Sequence, residues 1–255
     1  MPHLEGKTAL IAGAGRNNGR AIAIAFAREG ADLILVAREK GDDLERVSSE
    51  CRKLGAKTIP LLADVSDHEQ VNRMVRQGLD HFGQVDVLVN VAGRRPHQDF
   101  WDISYEEWHR VFEVNLHSTF YLAKALAPSM IKRGKGGSII ALGGLASLTS
   151  MPQRAHVTAS KTGLYGLIKS LALELGPYNI RANLIALSLI ENVRVNPEWY
   201  PEKGAGEHTA REMAGCALQR TGRPEEVANV AVYLASDQSS YVTGDRVLCT
   251  GGKGM

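Results

Sequence analysis

Between the first apolar run of the chain and its first helical stretch lies Gly13-Ala14-Gly15-Arg16-Asn17-Asn18-Gly19. Glycines at such a turn let the backbone bend sharply and come close to a ligand. The helix that follows offers unpaired N–H groups and the positive end of its dipole, a seat for a pyrophosphate. The second apolar run ends Leu35-Val36-Ala37-Arg38, with no acidic residue to grip a ribose 2′-hydroxyl. Arg38 suits a 2′-phosphate instead, with Arg16 as its helper, which points to NADP(H) over NAD(H). A tight turn without a ligand and a solvated arginine at a strand end are the plainer alternatives. Loop hydroxyls at Ser147 and Thr149 are possible substrate partners, although such residues usually only form turns. No spacing of His, Asp or Glu resembles a metal site. The three cysteines, Cys51, Cys216 and Cys249, lack a C-x-x-C pair, which argues against a disulfide framework or zinc and fits a reducing compartment.

The elements that must hold these groups read as alternating strands and helices. Apolar runs at Lys7–Gly13, Asp32–Arg38, Thr58–Asp64, Val85–Ala92, Gly137–Leu142, Ile180–Leu187 and Arg246–Thr250 show no strict alternation, as strands covered on both faces should not. Helical patterns fall between them at Asn18–Glu29, Asp43–Leu54, Asp67–Phe82, Tyr105–Arg133, Ala155–Leu175 and Pro224–Ala235. Ser66 with Glu69 and Ser104 with Glu107 have the spacing of capping boxes, and Pro224 fits a first helical position. The pattern predicts an α/β fold: one Rossmann-type, doubly wound parallel sheet of about seven strands, with helices on both faces. No linker, repeat or low-complexity segment divides residues 1–255, so a single domain is expected. The stretch 191–215 lacks periodicity and reads as a mobile flap over a cleft.

With 255 residues, 44% of them hydrophobic and a formal net charge of +2, the chain has no electrostatic footprint for nucleic acid or an anionic membrane. The stretch Met1-Pro2-His3-Leu4-Glu5-Gly6-Lys7 does not read as a secretory signal, and Gly136–Gln153 is too rich in Gly, Ser and Thr to read as a membrane span. A soluble cytoplasmic protein acting on an unnamed small molecule is the expectation.

From Gly6 to the Thr250-Gly251-Gly252 tail the chain resembles the short-chain dehydrogenase/reductase family. The family's T-G-x-x-x-G-x-G motif begins here at Ala12. Gly13 and Gly19 match it, while Asn17 replaces the middle glycine, a residue that tolerates left-handed backbone better than most. Asp64-Val65 resembles the adenine-side acidic position, and Asn90-Val91-Ala92-Gly93 resembles N-N-A-G with one substitution. The resemblance therefore implies a nucleotide site of Gly13, Gly15, Arg16, Asn17, Asn18, Gly19, Arg38, Asp64, Val65, Asn90, Ala92, Gly93 and Lys161. It also implies a homodimer or homotetramer, built by helices that are apolar over more than one face.

Four family residues share the chemistry: an Asn that positions a water, a Ser that holds the substrate oxygen, a Tyr that moves the proton, and a Lys that binds the nicotinamide ribose. By the resemblance, Asn115 and Lys161 match the first and last. Gly144 falls at the serine and Val157 at the tyrosine, and neither side chain can hydrogen-bond or titrate. A positioned acid–base group is worth about 10²–10⁴ in rate. Ordinary carbonyl reduction is therefore expected to be crippled.

Two imidazoles are candidate substitutes for the missing acid: His97, in the loop after Asn90–Gly93, and His156, beside the vacant position. A one-residue helical step of about 100° turns His156 away from the face of Lys161. Further departures are Ala12, Leu187-Ser188 where the family has P-G, and Asn192 for a threonine. Their confinement to one cleft reads as repurposing. The leading expectation is an NADP(H)-binding oxidoreductase with a non-standard site. A nucleotide-binding pseudoenzyme, acting as sensor or silent hetero-oligomer partner, and a non-redox enzyme on the same scaffold are the alternatives.

Overall fold

The computed structural model describes residues 2–39, 41–192 and 215–254. Seven strands, β1 (Thr8–Ala12), β2 (Asp32–Ala37), β3 (Thr58–Leu62), β4 (Val87–Asn90), β5 (Gly137–Leu142), β6 (Ile180–Leu187) and β7 (Arg246–Cys249), form one sheet in the order β3-β2-β1-β4-β5-β6-β7. Every neighbouring pair is parallel. The connecting helices among the described residues are α1 (Asn17–Arg28), α2 (Gly41–Lys53), α3 (His68–Phe82), α4 (Tyr105–Phe112), α5 (Ser118–Arg133), α6 (Ala155–Leu175) and α7 (Pro224–Ala235).

Successive strand residues point to opposite faces, so each central strand feeds two cores. From β1, Ala9 and Ile11 join Phe26, Leu33 and Val227 under α1 and α7, while Leu10 and Ala12 join Leu122, Ile139 and Leu164 under α5 and α6. Every residue of β1 and β4 is buried, which is why these runs lack alternation. The strand order reverses between β1 and β4. In a doubly wound sheet the crevice at the carboxyl ends of the strands opens at that reversal, and the glycine turn lies there.

The structure corrects three local expectations. Asp67, not Ser66, caps α3: its carboxylate accepts the N–H groups of Glu69 and Gln70 at 2.8 and 3.2 Å. Ser66 is already committed, its hydroxyl donating to Asp64 Oδ1 at 2.6 Å. Ser104 does cap α4, yet Glu107 completes no reciprocal box because its carboxylate takes the Arg94 guanidinium at 2.8 and 2.7 Å. The helix expected over Tyr105–Arg133 is interrupted by a π-helical turn at Glu113–His117, in which the Ser118 N–H reaches back to the Glu113 carbonyl. The Ser118 hydroxyl donates to the Val114 carbonyl at 2.6 Å. Single π-turns inside helices recur at functional sites, and this one carries Asn115.

Pro224 stands at the first turn of α7 as expected, with the Glu226 carboxylate accepting the Arg223 N–H at 2.7 Å. The expected flap lies outside the described residues except at its ends, Glu191, Asn192 and Gly215.

Candidate functional site

The glycine turn after β1 forms a tightly closed cradle in which two positions have no room for a side chain. Gly13 has φ +86°, and both its N–H and that of Ala14 donate to the Val36 carbonyl, at 2.8 and 2.9 Å. A Cβ on Gly13 would sit 3.3 Å from the Ala92 nitrogen, so the turn presses against the loop after β4. A Cβ on Gly19 would sit 1.9 Å from the Gly13 carbonyl oxygen, which no side chain survives. Asn17 adopts φ +49°, the left-handed backbone expected of it. Arg16 is exposed, while Asn18 is buried beneath the turn with no partner for Oδ1.

Around the cradle the other nucleotide-side residues divide into exposed and structural groups. Arg38 is half-exposed and bonded to Glu39 at 2.7 Å, and Glu39 with the nearby Asp64 holds its guanidinium pKa up. Any 2′-phosphate would share that arginine with a carboxylate. Asp64 Oδ1 takes both the N–H and hydroxyl of Ser66, at 3.0 and 2.6 Å, and Val65 is buried beside it. Asn90 shapes the loop: its amide donates to Ser118 Oγ and Thr119 Oγ1, both at 2.8 Å, and its Oδ1 takes the Ala92 N–H at 3.1 Å.

Gly93 and the two retained polar residues converge at the other end. A Cβ on Gly93 would lie 3.6 Å from Asn115 Oδ1 and 3.8 Å from Lys161 Nζ. Asn115 is fully engaged: Oδ1 accepts the Arg94 N–H at 2.8 Å, and Nδ2 donates to the Arg94 carbonyl at 2.8 Å and to Ser160 Oγ at 3.0 Å. Ser160 passes its proton to the Val157 carbonyl at 2.9 Å. Lys161 is 7% exposed, and its ammonium donates to the Leu142 carbonyl at 2.8 Å. Burial, helped by the charge of Arg95, pulls its pKa from 10.5 to about 7. Ser160 and the Leu142 carbonyl are site members that sequence reasoning missed. The only signal for Ser160 was its place between Val157 and Lys161.

Val157 lies on α6 and Gly144 just after β5, and neither side chain can hydrogen-bond or titrate. Val157 is buried in the first turn of α6. Gly144 follows β5 with φ +155° and ψ 168°, a backbone reserved for glycine. A Cβ there would meet nothing closer than the Leu187 carbonyl oxygen, at 3.8 Å. Gly144 and Leu187 therefore adjoin.

The two candidate acids do not meet Lys161 in one cluster. His156 is fully buried, neither ring nitrogen has a hydrogen-bond partner, and burial lowers its pKa. Its charged neighbours are Glu107, Arg154, Arg94 and His97, on the α4 side of α6. His97 is half-buried in the loop after β4. Among the described residues no His, Cys, Asp and Glu cluster could hold a metal, and no helix is long and apolar enough to cross a membrane.

With this geometry in hand, comparison with known proteins is specific. The family model described as enoyl-(acyl carrier protein) reductase matches residues 13–253. An L-rhamnose 1-dehydrogenase (NAD(P)(+)) of a Sphingomonas species is 34% identical over 99% of this chain and 98% of its own. A 3-oxoacyl-(acyl-carrier-protein) reductase of Thermotoga maritima is 38% identical over 98% of each. The crystal structure of a putative short-chain alcohol dehydrogenase from Sinorhizobium meliloti superposes with a TM-score of 0.91 at 31% identity, covering 98% of this chain and 96% of that one. Carveol dehydrogenase from Mycobacterium avium, solved with NAD, gives a TM-score of 0.91 at 26% identity over 99% of both chains.

Proposed function

The chain belongs to the short-chain dehydrogenase/reductase family of oxidoreductases, and from that premise we propose that it binds NADP(H) and acts through a site stripped of the usual proton-transfer pair. The observation that carries this reading is the pair of Asn115 and Lys161 around Gly93, with Val157, which has no proton to give, buried one helical turn before Lys161 on α6. The cradle supports the nucleotide half. Gly13 and Gly19 let the turn close tightly before α1, whose first N–H groups would meet a pyrophosphate, and Asn17 keeps the turn's left-handed step.

In this reading Arg16 and Arg38 take the 2′-phosphate, and Asp64 with Val65 borders the adenine. Asn90, Ala92 and Gly93 form the wall, and Lys161 holds the nicotinamide ribose. When bound, the nicotinamide supplies a hydride acceptor or donor. The protein's own part is to hold a proton on Lys161 Nζ, fix Asn115, and exclude water with the apolar Val157 side chain. Neither His156, sealed on the α4 side, nor His97 is required. We further propose a homodimer or homotetramer.

A second reading, a nucleotide-binding protein without turnover, is favoured by one specific observation: the turn at Gly144 is folded in a conformation that a serine resists. Titration calorimetry with NADPH and NADH separately tests the proposal. Micromolar binding with NADPH preferred upholds it, and NADPH oxidation with any of a panel of carbonyl compounds then separates the two readings. Failure to bind either nucleotide overturns both.

A further inference from the structure

Beside Lys161 stands a wall whose charge the nucleotide does not explain. The loop after β4 and the segment leading into α6, residues 94–99 and 149–154, hold three arginines, Arg94, Arg95 and Arg154, against one acid, Asp99. The chain as a whole is close to balanced, with 30 basic and 28 acidic residues. Hydrogen bonds join the two segments: the Gln98 N–H donates to the Gln153 carbonyl at 3.1 Å, and Arg154 Nη1 donates to the Arg95 carbonyl at 3.0 Å. Both acids beside this wall are engaged. Glu107 of α4 takes the Arg94 guanidinium through both its oxygens, and Asp99 Oδ1 accepts from Gln153 Nε2 at 3.1 Å. The hydroxyls of Thr149 and Ser150 pair with the Leu145 carbonyl and Thr158 Oγ1, at 3.4 and 3.2 Å.

With Arg94 and Glu107 offsetting each other, the excess charge of the wall belongs to Arg95 and Arg154, and it acts on the site. Arg95 is exposed, two residues after the Gly93 that lies against Lys161, and its positive charge bears on the buried Lys161 ammonium. Arg154 stands at the start of α6, three residues before Val157, and its charge bears on His156 together with those of Arg94 and His97. Cations gathered beside a buried lysine disfavour its charged form, whereas a cleft lined by one sign of charge concentrates ligands of the other. Arginine is also the side chain whose planar fork matches a carboxylate or a phosphate. We propose that this wall selects a small carbonyl compound, or its alcohol, that carries an anionic group, a carboxylate or a phosphate monoester, held by Arg95 and Arg154. The proposal names the substrate class of the oxidoreductase reading above and rests on it. The pyrophosphate seat follows β1, while this wall follows β4 and precedes α6, so the two anion sites are built from different elements.

The test is calorimetric titration of matched carbonyl pairs, acetoacetate against methyl acetoacetate and dihydroxyacetone phosphate against dihydroxyacetone. Each is titrated into the nucleotide-free protein and into protein saturated with NADP+, which has no hydride to give. In at least one pair the anion should bind about tenfold or more tightly than its neutral partner, the worth of a charge-assisted hydrogen bond. The pair that shows this distinguishes carboxylate from phosphate. Arg95→Gln and Arg154→Gln should each remove most of the preference, and Arg76→Gln, at an exposed position of α3, should keep it. Arg95 is itself exposed, so its replacement tests the charge without disturbing the core. Anion binding to the nucleotide-free protein at about pH 7.5 should take up a proton, because a nearby negative charge favours the protonated Lys161, and Lys161→Met should abolish that uptake. Equal affinities within both pairs, no binding of either anion at millimolar concentration in either state of the protein, or a preference that survives Arg95→Gln overturns the proposal. So does anion binding to the nucleotide-free protein without proton uptake, which would put the charge far from Lys161. Wild-type protein that binds neither NADPH nor NADH overturns the functional reading instead, and the nucleotide-free titrations still decide the anion site.

Discussion

Lys161 should make the protein's stability and its nucleotide binding depend on pH in a way that one substitution removes. Burial holds the folded-state pKa at about 7 against 10.5 when exposed. Between those values the unfolded chain carries a proton that the folded chain has shed. The free energy of unfolding must therefore rise with pH across the window from about 7 to 10.5. Below about pH 7 the full penalty is present, and at about 1.4 kcal/mol per pH unit it amounts to at most about 5 kcal/mol. The hydrogen bond to the Leu142 carbonyl returns about 1 kcal/mol.

Lys161→Met removes the charge and leaves that carbonyl unpaired, so the variant should be more stable than wild type by about 2 kcal/mol near pH 6.5. The advantage should shrink by about 2–3 kcal/mol on going to about pH 9, as the wild-type lysine sheds its penalty. Urea denaturation at the two pH values measures both quantities. A bound dinucleotide places negative charge near the ammonium and favours the protonated lysine. Wild-type binding near pH 7.5 should therefore take up a proton, seen as calorimetric heats that vary with the buffer's ionisation enthalpy, and Lys161→Met should abolish that variation. Parallel stability profiles for the two proteins would refute the reasoning at its root, because a lysine exposed or paired in solution produces no such difference.

Three other outcomes follow from the same geometry. Gly144→Ser should destabilise the fold by about 1–3 kcal/mol, the cost of a side chain in glycine-only backbone, measurable by thermal melting. Combined with Val157→Tyr it should raise NADPH-dependent carbonyl reduction by about 10²-fold or more if the proton path alone is missing. Gly19→Ala should abolish NADPH binding in calorimetry, because its Cβ would overlap the Gly13 carbonyl at 1.9 Å and force the cradle apart. Glu39→Gln should tighten NADPH binding by about tenfold while leaving NADH unchanged, since it frees the Arg38 guanidinium from the carboxylate 2.7 Å away. Equal effects on both nucleotides would place Arg38 outside the 2′-phosphate site.

The sheet was legible in the sequence because its strands are buried on both faces, and continuous apolar runs between helical patterns have few other solutions. All seven strands lie where the runs put them, with no end shifted by more than two residues. Asn17 was legible too, since a left-handed position at a glycine turn selects asparagine for a local reason. What escaped depended on contacts across the fold. Nothing in Glu113–His117 announces a π-turn, because it exists to bring Asn115 against Arg94 and Ser160 from separate elements. Ser66 read as a cap from its spacing, and lost that role to Asp67 only because Asp64 binds its hydroxyl. The Arg38–Glu39 pair lay in plain view in the sequence, yet only side-chain geometry shows that the two engage.

The same distinction bears on whether the site has decayed or been remodelled. A serine lost by drift should leave behind a turn that serine could still occupy. Here Gly144 lies at φ +155°, and that conformation is bonded in place. Its carbonyl accepts the N–H and hydroxyl of Ser147, at 2.9 and 2.8 Å. Ser147 in turn offers its carbonyl to Arg246 of β7, whose guanidinium stacks 4.6 Å over the Tyr165 ring of α6. Three elements thus brace a turn that only glycine fits, beside Leu187. Such bracing ties the glycine to the structure around it, so a serine placed there alone would have to disturb these contacts. On the functional reading proposed above, Gly144 and Leu187 form one braced wall of the cleft, and a serine placed at 144 alone would strain it.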